Sequence, residues 1–335
     1  MASGPETVPG AGAGAATVAD VNGDGYLDVV TWKASTGQIG VRLGAGDGSF
    51  GPSMTYQAGA SPVGVAIGDF NEDGLPDLAV AGYRGTGSAA AVTIWLGDGT
   101  GAIAKSAPHG FAAPLNRLVA GDVNNDGHLD VVVTGDGTTV MLGKGDGTLT
   151  KAGDYSPRGV VLVRDWNGDG NPDLIALDST LSVLLGNGDG KFTAQQDCAI
   201  AVQPDSTVVL DFNRDGKYDI ATTTYNSTQV SVLLGLGGCR FSPATKYAAS
   251  APLRYLSSGD LNGDGTLDLV AASATGQVLV LTGNGDGTFT AGPELQSLNG
   301  VADFSLTIGD ANGDGRADVI VSGTTGVQVL VNTCP

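Results

Sequence analysis

Versatile chemical side chains are scarce in this chain of 335 residues. It has two histidines, three cysteines and three methionines, and 16 lysines and arginines against 35 aspartates and glutamates. A formal charge of −19 has the wrong sign for attraction to a nucleic-acid backbone, so nucleic acid is not an expected partner. No apolar run approaches the ~18 residues that a membrane helix needs, so no membrane insertion is expected. There is no G-x-S-x-G elbow, no metalloprotease helix and no G-K-[ST] after the glycine-rich segments. These absences remove the common signatures of α/β-hydrolases, zinc peptidases and P-loop enzymes. Glycine, by contrast, is abundant at 55 residues, and 41% of the chain is apolar. That is enough to build a core, so a folded chain is expected.

The acids are concentrated in one repeat. The pattern D-x-N-x-D-G-x-x-D occurs seven times, over residues 20–28, 69–77, 122–130, 165–173, 211–219, 260–268 and 310–318, and holds 21 of the 35 acids. Oxygen side chains stand at positions 1, 3, 5 and 9. Glycine stands at position 6, where the chain must turn sharply, and position 7 offers a backbone carbonyl. This is the ligand order of the first half of an EF-hand loop, with an aspartate at position 9 closing the site. No cysteine or histidine takes a side-chain ligand position, which argues against zinc; oxygen donors suit Ca²⁺.

The expected ligands are, in the first loop, Asp20, Asn22, Asp24 and Asp28 with the carbonyl of Tyr26. In the second they are Asp69, Asn71, Asp73 and Asp77 with that of Leu75, and in the third Asp122, Asn124, Asp126 and Asp130 with that of His128. The fourth offers Asp165, Asn167, Asp169 and Asp173 with Asn171, and the fifth Asp211, Asn213, Asp215 and Asp219 with Lys217. The sixth offers Asp260, Asn262, Asp264 and Asp268 with Thr266, and the last Asp310, Asn312, Asp314 and Asp318 with Arg316. A metal-free Asx turn is the alternative for any single copy. Three carboxylates in nine residues repel one another, however, and up to seven Ca²⁺, one per repeat, would bring −19 to about −5, an ordinary surface charge.

The flanks of the loops are short, apolar and often β-branched, as in Val65–Gly68 and Leu129–Val133. They have no 3.6-residue period and read as strands. A second motif, such as LGKGDGTL at Leu142–Leu149 or LGNGDGKF at Leu185–Phe192, marks a tight hairpin later in each repeat. Each repeat then reads as a four-stranded antiparallel sheet. Its inner strands are nearly continuous apolar runs and need cover on both faces. Radial packing of seven sheets supplies that cover, so the expected fold is all-β, a seven-bladed β-propeller forming one domain over residues 1–335. A linear solenoid would need polar end caps, and none is read. The last repeat stops before its hairpin, and Gly4–Val8 resembles the opening of a fourth strand at Gly51–Thr55. The expectation is that an N-terminal strand completes the last blade and closes the ring.

With loop and hairpin in hand, the chain resembles the FG-GAP/VCBS repeat family, whose best-known members are the β-propeller heads of integrin α subunits. The resemblance spans roughly residues 15–331. It implies a seven-bladed propeller with Ca²⁺ in the loops between first and second strands. Integrin propellers carry the calcium motif in only some blades, and here every repeat has it. The glycine- and alanine-rich repeats look more like bacterial secreted proteins of the family, so integrin ligand recognition is not carried over.

Departures from the repeat point to the remaining candidates. Cys198 lies on the expected outer strand of blade four and Cys239 in the blade-five hairpin, so adjacent blades could join them in a disulfide, with two buried thiols as the alternative; Cys334 is left over. A disulfide, and loops filled at extracellular calcium, fit a secreted protein whose signal has been removed. Loops at the ends of the blades opposite the acidic loops vary, and variable loops on a rigid scaffold carry binding. They offer Trp32, Tyr83 and Arg84, then His109 in a connection, Tyr225 and Asn226, and Arg254 and Tyr255. Aromatics beside polar groups suit glycans or protein partners; the plainer reading has Trp32 and Tyr225 packing at strand ends. Trp95 and Trp166 read as core. The functional expectation is a secreted, calcium-binding module for glycans or cell-surface partners, with no catalytic residue assigned. An adhesive protein-interaction module of a larger extracellular protein is the alternative, and a polysaccharide lyase or hydrolase the second alternative, because 14 acids outside the motif leave paired carboxylates open. Oligomeric state is open, with a monomer the simplest case.

Overall fold

The structure is a computed structural model that describes residues 2–9, 15–58, 61–83, 90–106, 108–111, 115–156, 158–177, 180–194, 197–198, 200, 204–296, 305–323 and 326–332. Every regular element among these residues is a strand. Strand β1 is Ala2–Pro9. Blade one holds β2 (Ala15–Ala19), β3 (Asp28–Lys33), β4 (Gln38–Arg42) and β5 (Met54–Gln57). Blade two holds β6 (Pro62–Gly68), β7 (Asp77–Tyr83), β8 (Ala90–Gly97), β9 (Ile103–Lys105) and β10 (His109–Phe111); blade three holds β11 (Leu115–Gly121), β12 (Asp130–Gly135), β13 (Thr138–Gly143) and β14 (Leu149–Tyr155). Blade four holds β15 (Val160–Arg164), β16 (Asp173–Leu177), β17 (Leu181–Gly186) and β18 (Phe192–Ala194); blade five holds β19 (Thr207–Leu210), β20 (Asp219–Thr223), β21 (Gln229–Leu233) and β22 (Thr245–Ala248). Blade six holds β23 (Leu253–Gly259), β24 (Asp268–Ser273), β25 (Gln277–Gly283) and β26 (Phe289–Gln296), and the last blade β27 (Ser305–Gly309), β28 (Asp318–Gly323) and β29 (Gly326–Val331).

The strands of each blade pair antiparallel in sequence order, and the fold is the all-β, seven-bladed β-propeller expected from the repeats. The last sheet runs β1-β29-β28-β27; β1 pairs antiparallel with β29 from Ala2↔Val331 to Pro9↔Gly326, with an irregularity between Ser3 and Thr7. Blade two differs from the others. Its outer position is split between β9 and β10, both bonded to β8. Pro108, just before β10, has no N–H to give the ladder.

The chain divides into two compact units, one of Ala19–Leu43 with Pro52–Cys198 and one of Met1–Val18, Gly44–Gly51 and Ala199–Pro335. In the first, blades two and three meet through Ala79, Ala81, Val92 and Ile94 against Val131, Val133 and Met141. Val132 and Val140 face the other way, onto Leu174, Ala176, Leu184 and Phe192. The alternation along β12 therefore buries both faces of one sheet, which is why its strand reads as continuous apolar sequence. In the second unit, Val230 and Val232 pack on Leu269, Ala271 and Leu279, while Val270 and Val278 pack on Val319, Val321 and Leu330.

Candidate functional site

Each acidic motif forms the loop between the first two strands of its blade. Position 9 is the keystone. Asp28, Asp77, Asp130, Asp173, Asp219, Asp268 and Asp318 are all buried. In every loop the position-9 Oδ2 accepts the backbone N–H of position 2, at 2.8–3.1 Å. In six loops Oδ1 accepts the N–H at the end of the third strand, from Gly97, Gly143, Gly186, Gly235, Gly283 or Asn332. One carboxylate thereby ties the loop to two strands. Burial raises the carboxyls of Asp77, Asp219, Asp268 and Asp318, those two N–H donors lower them, and the acids at positions 1 and 5 of the same loop raise them again. Asp130 is pushed up to about 6.

The other acids organise the turn. The position-1 Oδ2 accepts the N–H of position 6 at 2.7–2.9 Å in all seven loops. The position-5 Oδ1 likewise accepts the N–H of position 7. The glycine at position 6 has φ between +80° and +89° in each copy, the left-handed conformation that the sequence pattern demands. As the loops stand, no group of three or more Asp, Glu, His or Cys side chains among the described residues converges tightly enough to grip a metal. The donor set is nonetheless all oxygen, a set suited to a hard divalent cation, and the raised position-9 carboxyls are groups that a nearby positive charge would stabilise. In the fifth and last loops a base at position 7 already pairs with position 5, Lys217 with Asp215 at 2.9 Å and Arg316 with Asp314 at 3.9 Å.

Position 4 was not legible as a special position. Its backbone is left-handed in every loop: Gly23, Gly168, Gly263 and Gly313 take φ of +71° to +77°, while Glu72, Asn125 and Arg214 take +59°. The three side chains that accept this less favourable conformation all reach the next loop of their unit. Glu72 bonds His128, Asn125 donates to Gly170 O at 3.0 Å, and Arg214 donates to Gly265 O. Glu72 holds the His128 imidazole above its ordinary value.

The glycine closing a third strand lies outside the nine-residue motif and is constrained by contact with it. A Cβ on Gly97, Gly143, Gly186, Gly235 or Gly283 would lie 2.1–2.2 Å from the position-8 carbonyl of its own loop. The hairpins do more than turn, too. Gly147 N–H donates to Phe70 O in the loop of the preceding blade at 2.9 Å, and Gly48 N–H to Ala311 O at 3.1 Å. Asn332 stands where the other blades have that strand-closing glycine, and its amide donates to Ala317 O and to Leu261 O, the position-2 carbonyl of loop six.

The candidates at the opposite ends of the strands separate into packed and presented groups. Trp32 lies in β3 opposite Ile39, half-buried on the cluster of Val30, Ile39, Val41 and Trp95. Tyr83 ends β7, with its N–H on Ser61 O, and Arg84 lies outside the described residues. Tyr255 is half-buried against the Val270 cluster. Trp95 is buried, but Trp166 is only half-buried, being larger than the position-2 residues of the other loops. His109 belongs to β10 rather than to a connection, because the split outer strand of blade two extends that far. Its Nε2 accepts Leu149 N–H at 3.3 Å, and burial, with Lys144 nearby, lowers its pKa. Tyr225 is 61% exposed on the β20–β21 turn, with Asn226 at φ +59° and the Arg254 guanidinium 4.7 Å from its ring centroid. The structure thus brings together Tyr225, Asn226 and Arg254, and leaves Trp32 and Tyr255 as packing residues. Cys198 bridges Leu181 on the outer edge of blade four, Cys198 and Cys239 are each disulfide-bonded, and Cys334 lies outside the described residues.

Solved structures share the fold at low identity. BBS1N in complex with ARL6DN aligns with a TM-score of 0.68 and 15% identity, over 100% of this chain and 97% of that one. An Agrocybe aegerita lectin, described as recognising non-reducing terminal N-acetylglucosamine, aligns at 0.58 and 20%, over 93% and 85%. The V. cholerae biofilm matrix protein Bap1 aligns at 0.56 and 12%, over 100% and 90%. No curated protein matches the sequence. The FG-GAP-like repeat model matches residues 20–80, 69–133, 165–222, 211–271 and 260–321, each match running from one acidic loop to the next, and the chain belongs to the FG-GAP-like repeat family.

Proposed function

We propose that this protein is a secreted, calcium-stabilised binding module whose partners are glycans or extracellular proteins. The carrying observation is the division of labour along each blade. One end repeats the same acidic loop seven times and uses its buried aspartate to tie strands together. The other end differs from blade to blade and in blade five presents Tyr225 with Arg254 stacked on it. A repeated scaffold with variable presented side chains is the arrangement of a binder. Ca²⁺ would be held by the oxygens of positions 1, 3, 5, 7 and 9, supplying the positive charge that the buried carboxyls lack, and its binding energy would count toward folding. A disulfide and calcium loops both fit an oxidising, calcium-rich exterior. The similar structures include a sugar-recognising lectin and a complex with a protein partner, which is why both partner classes stay in the proposal.

Protein adhesion without a sugar site is the second reading, favoured by Tyr225 and Arg254, the residue types that dominate protein hot spots. Glycoside chemistry has less support. The raised carboxyls described above are locked in the loops, and Asp154, lining a cavity of about 500 Å³, is held below its ordinary value by Lys151 and Thr139.

The test is a glycan array in millimolar Ca²⁺, repeated after EDTA treatment with the fold monitored by circular dichroism. The proposal expects glycan or protein-partner capture by the loaded protein and a melting temperature about 10 °C or more lower without cation. A melt unchanged in metal-free protein removes calcium from the proposal. A blank array together with a blank pulldown against extracellular matrix proteins removes the binding role.

A further inference from the structure

Two clefts between neighbouring blades are filled by the same device, and a third keeps its hydrogen bond with different side chains. Between blades three and four, Tyr155 of the outer strand packs edge-on against Phe192, with centroids 5.6 Å apart, and its hydroxyl accepts Phe192 N–H at 3.1 Å. Between blades five and six, Tyr247 packs edge-on against Phe289 at 5.8 Å, and its hydroxyl accepts Phe289 N–H at 2.9 Å. Between blades two and three the same two places hold His109 and Leu149. The imidazole Nε2 takes the role of the tyrosine hydroxyl and accepts Leu149 N–H. The hydrogen bond is kept, but an imidazole and an isobutyl group stand in place of a phenol and a phenyl ring.

The acid five residues after the second member of each pair varies from cleft to cleft. Glu294, five residues after Phe289, reaches across its cleft and accepts both Ser250 N–H, at 2.7 Å, and the Ser250 hydroxyl. Asp154, five residues after Leu149, turns back onto its own blade, accepting Thr139 Oγ1 at 2.7 Å and Lys151 Nζ at 2.5 Å, as Asp197, five residues after Phe192, turns back onto Ser182 Oγ at 2.5 Å. Where His109 and Leu149 replace the aromatic pair, a cavity of about 500 Å³ lies between β10 and blade three, lined by the apolar Leu115, Val133, Met141 and Phe111. This volume is that of a small-ligand pocket.

Its polar groups define the ligand. The lowered pKa of His109 and the accepting role of Nε2 place the proton of a neutral ring on Nδ1, which leaves one donor. Lys151 and Asp154 form a compensated donor–acceptor pair at the rim, and Asp136 on the β12–β13 turn lies 3.8 Å from Arg158. Charges are paired, so a charged ligand would find no unmatched counter-ion. An apolar floor under adjacent donors and acceptors matches a ring with a C–H face and vicinal hydroxyls.

We infer that the cleft between blades two and three is a binding site for a neutral pyranose. The inference rests on the glycan branch of the proposed function and gives it a place. Chain chemistry supplies a local probe, because the three methionines are Met1, Met54 and Met141 and Met141 lines the cavity. Protein labelled with ¹³C at the methionine methyls is titrated with the methyl glycosides of glucose, galactose, mannose and N-acetylglucosamine. The expected result is a saturable shift of the Met141 methyl with at least one sugar while Met54 stays in place. His109→Tyr with Leu149→Phe installs the aromatic pair of those two clefts and should abolish the shift; Asp154→Asn, an exposed rim change, should weaken it about tenfold. Should the double variant fail to fold, the rim variant carries the test alone. Array binding by the wild-type protein with a static Met141 methyl, or undiminished by these variants, overturns this site and leaves the binding module standing. A blank array with a static methyl overturns the glycan branch and this site together.

Discussion

The two ends of a blade follow opposite rules. At the acidic end, seven loops place the same oxygens on the same backbone N–H groups, and even the residues outside the motif conform, as with glycines that a Cβ would drive into a carbonyl at 2.2 Å. At the other end the described turns carry different side chains. Tyr225 is presented on a left-handed turn with Arg254 over it, whereas Trp32 finishes its strand and packs. Constraint at one end frees the other, because a turn that carries no ladder can change without disturbing the sheets.

The comparison sharpens most where pairing holds a sheet together. Removing residues 1–10 deletes β1 and bares the edge of β29; thermal melting should show the largest loss, and a full-stability deletion would deny β1 any part in closing the last blade. Next comes Asp130→Ala, which strands Val123 N–H and Gly143 N–H. At about 1–3 kcal/mol for each orphaned donor, urea unfolding should lose several kcal/mol. Gly143→Ala meets Leu129 O and should cost about 1–3 kcal/mol by overpacking. The smallest effect belongs to the other end. Tyr225→Ala should change stability by less than about 0.5 kcal/mol, while weakening whatever partner the protein binds there. A large stability loss at Tyr225 would erase the contrast.

Acid supplies a separate test. The carboxyls of Asp77, Asp130, Asp173, Asp219, Asp268 and Asp318 are raised by burial, Asp130 to about 6, whereas in the unfolded chain they titrate near ~3.9. The fold therefore favours their protonated forms. That contribution is fully present below about pH 4 and is lost as pH rises through each raised value, for Asp130 about 6. Cation-free protein should melt higher at about pH 5 than at about pH 7.5. Calcium-loaded protein should not share this gain, because protons compete with the metal for the same oxygens. Melting curves of EDTA-dialysed and calcium-loaded protein across this range give the comparison directly.

Much of this could be read without coordinates. Seven loops at spacings of 43 to 53 residues, strands on both flanks and a hairpin in most repeats specify blades, since a pattern confined to nine neighbouring residues needs no tertiary context. The left-handed turn at position 6 belongs to the same class. The reading weakened wherever a residue's role depended on a partner distant in sequence. His109 looked like a loop residue, yet it takes the place of a tyrosine, because Leu149 N–H is 40 residues away. Position 4 looked unremarkable because Glu72, Asn125 and Arg214 act on the following loop.

What the sequence determined by itself was local: turn chemistry, strand alternation and the count of blades, each set by backbone geometry within a few residues. Tertiary structure decided what lies between elements. It set which aspartate is buried under two strands, which cleft holds an aromatic pair and which stands open, and which aromatic is packed rather than presented. Burial and shape depend on surfaces brought together from distant parts of the chain, and no nine-residue window contains both sides of a contact.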